Sequence, residues 1–269
     1  MTFICFNGDF IEKNKPFLFS DNLAFKYGDG IFETILILNQ KIVLEDYHFE
    51  RLFNSLQFLQ IKYSHLTREL FTNKIITLCK KNGFQTCRIR LTVFRDQNDN
   101  ASYVIETSEV AEDVYEFNKS GWIADLYPYA RKSIDAFSNL KSLSYQQFIM
   151  ANKYAIENDL HETIILNASN HICEGSKTNI FIIKNQRVLT PALHEGCING
   201  VMRKHVIEVI KKLGVPVKQA IVKEEDLFDA EEVFFTNALQ VVKWVKSYKK
   251  KEFTSILSKE VSLNSINNF

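Results

Sequence analysis

Apolar and polar residues alternate on both sides of an Asn7-Gly8 pair in FICFNGDFIEK, the pattern of a β-hairpin closed by a tight turn. YGDG at 27–30 reads as flexible, and IFETILIL and KIVL then predict two strands joined at Asn39-Gln40. The spacing changes in EDYHFERLFNSLQFLQI. There Leu52, Leu56 and Leu59 fall near one face of a helix whose first turn holds Glu45 and Asp46, the charges a helix dipole favours. A second helix is predicted over 67–81, carrying Leu70, Phe71, Ile75 and Leu78, with Lys80, Lys81, Asn82 and Gly83 as its stop. TCRIRLTVFR alternates strictly: Cys87, Ile89, Leu91 and Val93 on one face, Arg88, Arg90 and Thr92 on the other. SYVIETS completes a first α+β half.

The acidic, irregular EVAEDVYEFNKSG marks a linker, dividing the chain into a smaller domain at 1–110, a linker at 111–120 and a larger domain at 121–269. The second half predicts strands in WIADLYP, ETIILN, TNIFIIK, RVLT, PVKQAIV, VFFTN and LQVVKWV, with a turn at ASNH and a helix over 201–213. Leu143, Phe148, Ile149 and Ala155 fit one face of a helix whose mouth carries Lys141. A lysine sits poorly in a first helical turn, where the dipole is positive. The last fifteen residues are polar, and fraying is expected there.

With 269 residues, 46% hydrophobic and 13% aromatic, the chain has core material for one large or two modest globular domains. Its formal charge of +1 gives no basic field for nucleic acid or an anionic membrane. Five cysteines, odd in number and without paired spacing, read as buried reduced thiols; neither a disulfide framework nor a metal site is expected. The absence of a leader-like start or a long apolar run makes the cytoplasm the default address.

Four separated motifs carry the chemistry: HFERL, NLKSL, CEGSKTNIF and CINGVMRKHV. In this order they resemble the fold type IV pyridoxal-phosphate enzymes. That class IV aminotransferase family includes branched-chain aminotransferases, D-amino acid aminotransferases and 4-amino-4-deoxychorismate lyases. The resemblance implies a two-domain α+β fold with pyridoxal 5'-phosphate in the interdomain cleft, and a homodimer. It makes Lys141 the catalytic lysine that bonds the cofactor aldehyde, a step that needs a neutral amine. Glu174 would face the pyridine nitrogen. Read without the resemblance, Glu174 is a solvated turn carboxylate and Arg51 a helix-surface arginine paired with Glu50 or Asp46.

The phosphate would fall to Arg51, to the helix-opening amides of Gly200, Val201 and Met202, and to the amides of Asn237 and Ala238 in TNAL. Transaminases of the family usually place a threonine where Met202 stands, so a main-chain amide must suffice there. Tyr145 matches, with a one-residue difference in spacing, a tyrosine that bonds the cofactor's phenolic oxygen; otherwise it is a core aromatic. On the substrate side the resemblance points to Arg90 as a carboxylate partner, with Arg88 and Arg95 as neighbours, and to Phe32 and Thr34 as pocket lining. NGVMR and TNAL look most like the lyases, whose products are 4-aminobenzoate, a folate precursor, and pyruvate. A class IV aminotransferase is the alternative. A non-catalytic cofactor-binding relative is disfavoured because Lys141, Glu174 and Arg51 are all present.

Overall fold

In the computed structural model, which describes residues 2–269, the chain divides into two compact units. The first comprises the residues up to Val114 together with Lys141–Ser144. Its elements are β1 (Phe3–Phe6), β2 (Asp9–Glu12), α1 (Leu23–Tyr27), β3 (Gly30–Leu38), β4 (Lys41–Ile42), α2 (Glu45–Phe58), α3 (Arg68–Lys81), β5 (Cys87–Arg95) and β6 (Ala101–Ser108). They form an antiparallel six-stranded sheet in the order β2-β1-β6-β5-β3-β4. Asn7 and Gly8 both take positive φ, as the hairpin turn requires.

Strand alternation decides what each face of this sheet does. Ile35, Ile37, Ile89, Leu91, Val93 and Ile105 form one core cluster with Phe49, Leu52 and Leu56 of α2 and Phe71, Ile75 and Leu78 of α3. Thr67 caps α3 by accepting the Leu70 N–H at 3.1 Å. The opposite face carries Phe32, Thr34 and Leu36 of β3 beside Thr92, Arg90 and Arg88 of β5, paired in that register.

The second unit spans Tyr115–Leu140 and Tyr145–Phe269. It contains β7 (Trp122–Leu126), α4 (Gln146–Glu157), β8 (Glu162–Leu166), β9 (Ile172–Gly175), β10 (Asn179–Lys184), β11 (Arg187–Pro191), α5 (Val201–Lys212), β12 (Val217–Ala220), α6 (Glu224–Asp229), β13 (Glu232–Asn237), β14 (Val241–Tyr248), β15 (Lys251–Glu252) and α7 (Ile256–Ile266). The strands make a mixed nine-stranded sheet in the order β12-β11-β10-β13-β14-β7-β8-β9, with β15 on β14. The pairs β11/β12, β14/β7 and β7/β8 run parallel.

Four expectations are corrected. The segment Lys141–Ser144, expected in the second domain, groups with the first unit because its backbone pairs with β3. Helix α4 starts at Gln146, so Lys141 and Leu143 precede it; within it Phe148, Ala151 and Ala155 are buried while Ile149 is exposed. Tyr27, expected to be flexible, ends α1, which Gly28 closes in the left-handed conformation. The polar C-terminus is a docked helix, α7. Its buried face is Ser258, Val261, Ser262 and Ser265, and small hydroxyl residues leave no apolar stripe to read in the sequence.

The start of α7 is held by one buried carboxylate. Glu232 accepts the N–H groups of Ile256, Leu257 and Ser258, each at 2.9 Å, and the Ser258 hydroxyl at 2.8 Å. Among the described residues no helix is long and apolar enough to cross a membrane. Replacing Glu232 with Ala strands those donors, so urea unfolding is expected to show a loss of about 2–4 kcal/mol. A loss below about 0.5 kcal/mol would contradict this cap.

Candidate active site

Lys141 reaches its position through backbone pairing with β3. The Phe32 N–H donates to the Lys141 carbonyl and the Leu143 N–H donates to the Gly30 carbonyl, both at 2.9 Å. Ile31 and Ser142 complete an antiparallel bridge. This close approach depends on glycine: a Cβ at Gly30 would lie 2.7 Å from the Val93 carbonyl oxygen and 2.9 Å from Leu143 Cδ1. Lys141 Nζ then sits 4.5 Å from the centroid of the Phe32 ring, and the Arg90 guanidinium 3.9 Å from the same centroid. Thr34 is the cross-strand partner of Arg90. Lys141, Phe32, Thr34 and Arg90 are thus brought together in the first unit. Arg95 is used otherwise: it bonds Asp29 at 2.7 Å and the Leu59 carbonyl at 2.7 Å.

On the helix-facing side of β3, Glu33 is buried between two groups of α2. Arg51 donates to it through Nε at 2.8 Å and Nη2 at 2.5 Å, and His48 Nδ1 lies 2.6 Å from its Oε2. Burial alone would raise the Glu33 carboxyl, but the Arg51 charge and the His48 hydrogen bond outweigh it and hold the group at about 2. Burial pushes His48 below its ordinary value against the pull of Glu33, and the Arg51 and Lys141 charges push the same way. Arg51 is therefore a largely buried partner of Glu33, not the surface arginine its helix position suggests.

In the second unit Glu174 lies in β9 and is buried, where the sequence alone reads a solvated turn. A lysine and a backbone amide hold it. The Lys132 ammonium donates to Oε1, and the Ile198 N–H reaches the two carboxylate oxygens at 3.2 and 3.1 Å. Lys132 is itself buried, donates to the Ser138 carbonyl at 2.9 Å and stands 5.1 Å from the Phe148 ring centroid. Sequence reading missed Lys132; its only signal is a lysine between Arg131 and Ser133 nine residues before Lys141. Tyr145 stacks on Phe148 with centroids 4.5 Å apart. Cys173 and Cys197 flank the carboxylate; burial first, then the Glu174 charge, raises both thiols, Cys197 to about 11. They and the other three cysteines are free and buried.

The turn after Glu174 is shaped by buried Glu162, which accepts the Ser176 N–H at 2.9 Å and the Thr178 hydroxyl at 2.8 Å. Beyond it, Gly200 precedes α5 and offers no side-chain cap, leaving first-turn amides at Val201 and Met202 for another acceptor. A Cβ at Gly200 would collide with Asn179 Oδ1. Thr236 pairs with Asn179 across the sheet, and its buried hydroxyl has no hydrogen-bond partner among the described residues. Asn237 Oδ1 accepts the N–H groups of Leu239 and Gln240 at 3.0 and 2.8 Å, fixing the loop that contains Ala238. Met202 is buried. An orphaned hydroxyl, uncapped amides and a buried, cation-paired carboxylate fit a group with a phosphate at one end and a basic ring nitrogen at the other.

A family model for Amino-transferase class IV matches residues 30–248, and the chain belongs to that family of pyridoxal-phosphate enzymes. Among curated proteins it is similar to the aminodeoxychorismate lyase of Bacillus subtilis, 27% identical over 253 residues and covering 89% of this chain and 85% of that protein. It is also similar to the D-alanine aminotransferase of Listeria innocua, 26% identical over 245 residues, with 86% and 82% covered. Its fold matches the crystal structure of a branched-chain aminotransferase from Thermoproteus uzoniensis with norvaline, TM-score 0.88 at 22% identity, covering 99% of this chain and 94% of that one.

The Glu33 triad gives stability a defined acid dependence. Glu33 is ionised in the fold where the unfolded chain, with its carboxyl near 4.5, takes up a proton. Its contribution is present above pH 4.5 and lost as pH falls toward 2. His48 stays neutral in the fold below 6.5 while the unfolded chain protonates, so stability also falls as pH drops below 6.5. Urea unfolding across this range is expected to show both losses, and His48→Gln to flatten the upper one. Parallel pH dependence in the variant and the parent would show that His48 is not held neutral.

Proposed function

We propose that this chain is a 4-amino-4-deoxychorismate lyase, forming 4-aminobenzoate and pyruvate from aminodeoxychorismate as a homodimer. The observation that carries the choice is that Gly200-Val201-Met202 and Asn237-Ala238-Leu239 lie in one unit, where buried Met202 supplies no hydroxyl and main-chain amides would serve instead. The lyase named among its relatives supports the same choice.

Pyridoxal phosphate, when bound, supplies an aldehyde that takes up the substrate's amine and a ring that accepts the electron pair released at the amine-bearing carbon. Lys141 would bond that aldehyde in the resting enzyme and then receive the proton leaving the amine-bearing carbon. Glu174, held ready by Lys132 and Ile198, would accept the ring N–H. The amides of Val201, Met202, Asn237 and Ala238, with the Thr236 hydroxyl, would hold the phosphate. Arg51, which already donates to Glu33 through Nε and Nη2, would also contribute to holding the phosphate. Tyr145 would bond the phenolic oxygen.

In the lyase the carbon–oxygen bond to the enolpyruvyl group breaks as the proton leaves. The methylene of the departing group takes up a proton from Lys141, giving pyruvate while the ring becomes aromatic. An aminotransferase uses the same lysine and carboxylate but delivers the proton to a different carbon, releasing a keto acid. That reading is favoured by the aminotransferase relative, whose identity to the chain is nearly equal.

Incubating the cofactor-loaded protein with aminodeoxychorismate is expected to release 4-aminobenzoate and pyruvate in equal amounts, with Lys141→Ala lower by about 1,000-fold or more. Keto acid formed from L- or D-amino acids, without 4-aminobenzoate from aminodeoxychorismate, would replace the lyase with the aminotransferase.

A further inference from the structure

The family resemblance points to Arg90 as a carboxylate partner but gives the arginine two residues before it no role beyond that of a neighbour. Arg88 lies on the same face of β5, paired with Leu36 of β3 on one side and Ser108 of β6 on the other. Its Nε is buried and has no hydrogen-bond partner, and no ion pair to Arg88 occurs among the described residues. The acid nearest in register, Glu106, is the cross-strand partner of Arg90. A guanidinium is always charged, and a buried N–H on it without an acceptor is costly. Nature rarely leaves such a donor unmet unless a ligand completes it.

Residues two apart on a strand share a face and stand about 7 Å from each other along it. The two arginines are therefore offset by one strand repeat, enough for their forks to meet two different carboxylates. Arg90 stands on the Phe32 ring together with Lys141, at the reacting end of the face. Arg88 lies one strand repeat further away.

We infer that Arg88 is a specificity-determining residue that binds a second substrate carboxylate, so that the enzyme selects amino compounds carrying two carboxylates. This rests on the reading of the Phe32, Thr34 and Arg90 face as the substrate side. Aminodeoxychorismate, with one carboxylate on its ring and one on its enolpyruvyl arm, belongs to that class, as do acidic amino acids.

The test is binding of two unreactive probes, glutarate and pentanoate, to the cofactor-loaded enzyme by calorimetry, after absorbance has shown that the cofactor band depends on Lys141. The parent is expected to bind glutarate at least about tenfold more tightly than pentanoate, the scale of one charge-assisted contact. Arg88→Gln should remove that preference and leave pentanoate within about twofold. Arg88→Lys, which keeps the charge but loses the fork, should retain part of it and carries the test if the glutamine variant does not fold. An equal loss for both probes, or no loss for either, overturns the inference and leaves the functional reading standing. A cofactor band that survives Lys141→Ala overturns the functional reading and the inference with it.

Discussion

Two backbone hydrogen bonds, from Phe32 to the Lys141 carbonyl and from Leu143 to the Gly30 carbonyl, decide where Lys141 stands. They turn four residues of a long connection into an extra strand-like edge of the first unit, and a glycine at position 30 is the condition for that approach. Everything on that face follows. The Phe32 ring becomes a platform shared by an ammonium and a guanidinium, and strand alternation places Thr34 and Arg88 beside them. The same alternation sends Glu33 to the other side of β3, where α2 delivers His48 and Arg51 to it.

Both units use a buried carboxylate held by a cation, and both fix it from several directions. Glu33 has the planar fork of Arg51 and the ring of His48; Glu174 has Lys132 and a backbone amide. Burying a carboxylate is tolerable only when its lone pairs are met, and once met it is orientationally rigid. Glu162 and Glu232 follow a related rule with neutral donors, one shaping the turn after Glu174 and the other starting α7. A carboxylate held in this way has its geometry set before any ligand arrives.

The elements with a strong period were legible in the sequence. The hairpin at Asn7-Gly8, the alternation of 87–93 and the helices at 45–58 and 68–81 all follow from spacing and turn chemistry. What escaped was set by partners distant in sequence. The serine face of α7 has meaning only against Glu232 and α5, whose His205 Nε2 lies 3.0 Å from the Ser265 carbonyl. Glu174 looks solvated beside a polar turn until Lys132, forty-two residues earlier, is placed on it. Lys141 and Leu143 fitted a helical face in sequence, yet pairing with β3 overrides that periodicity. The candidate site was legible as motifs; the groups that hold it in shape were not.

The central claim is that Lys141, and no other lysine, bonds the cofactor. Buried Lys132 stands a short distance from Lys141 in sequence, so the claim is open to a direct measurement. Borohydride reduction of the pyridoxal-phosphate-loaded protein fixes the cofactor to whichever amine holds it, and peptide mass spectrometry locates the added mass. The account predicts a phosphopyridoxyl group on Lys141. The same group on Lys132 or another lysine, or on none, would contradict it.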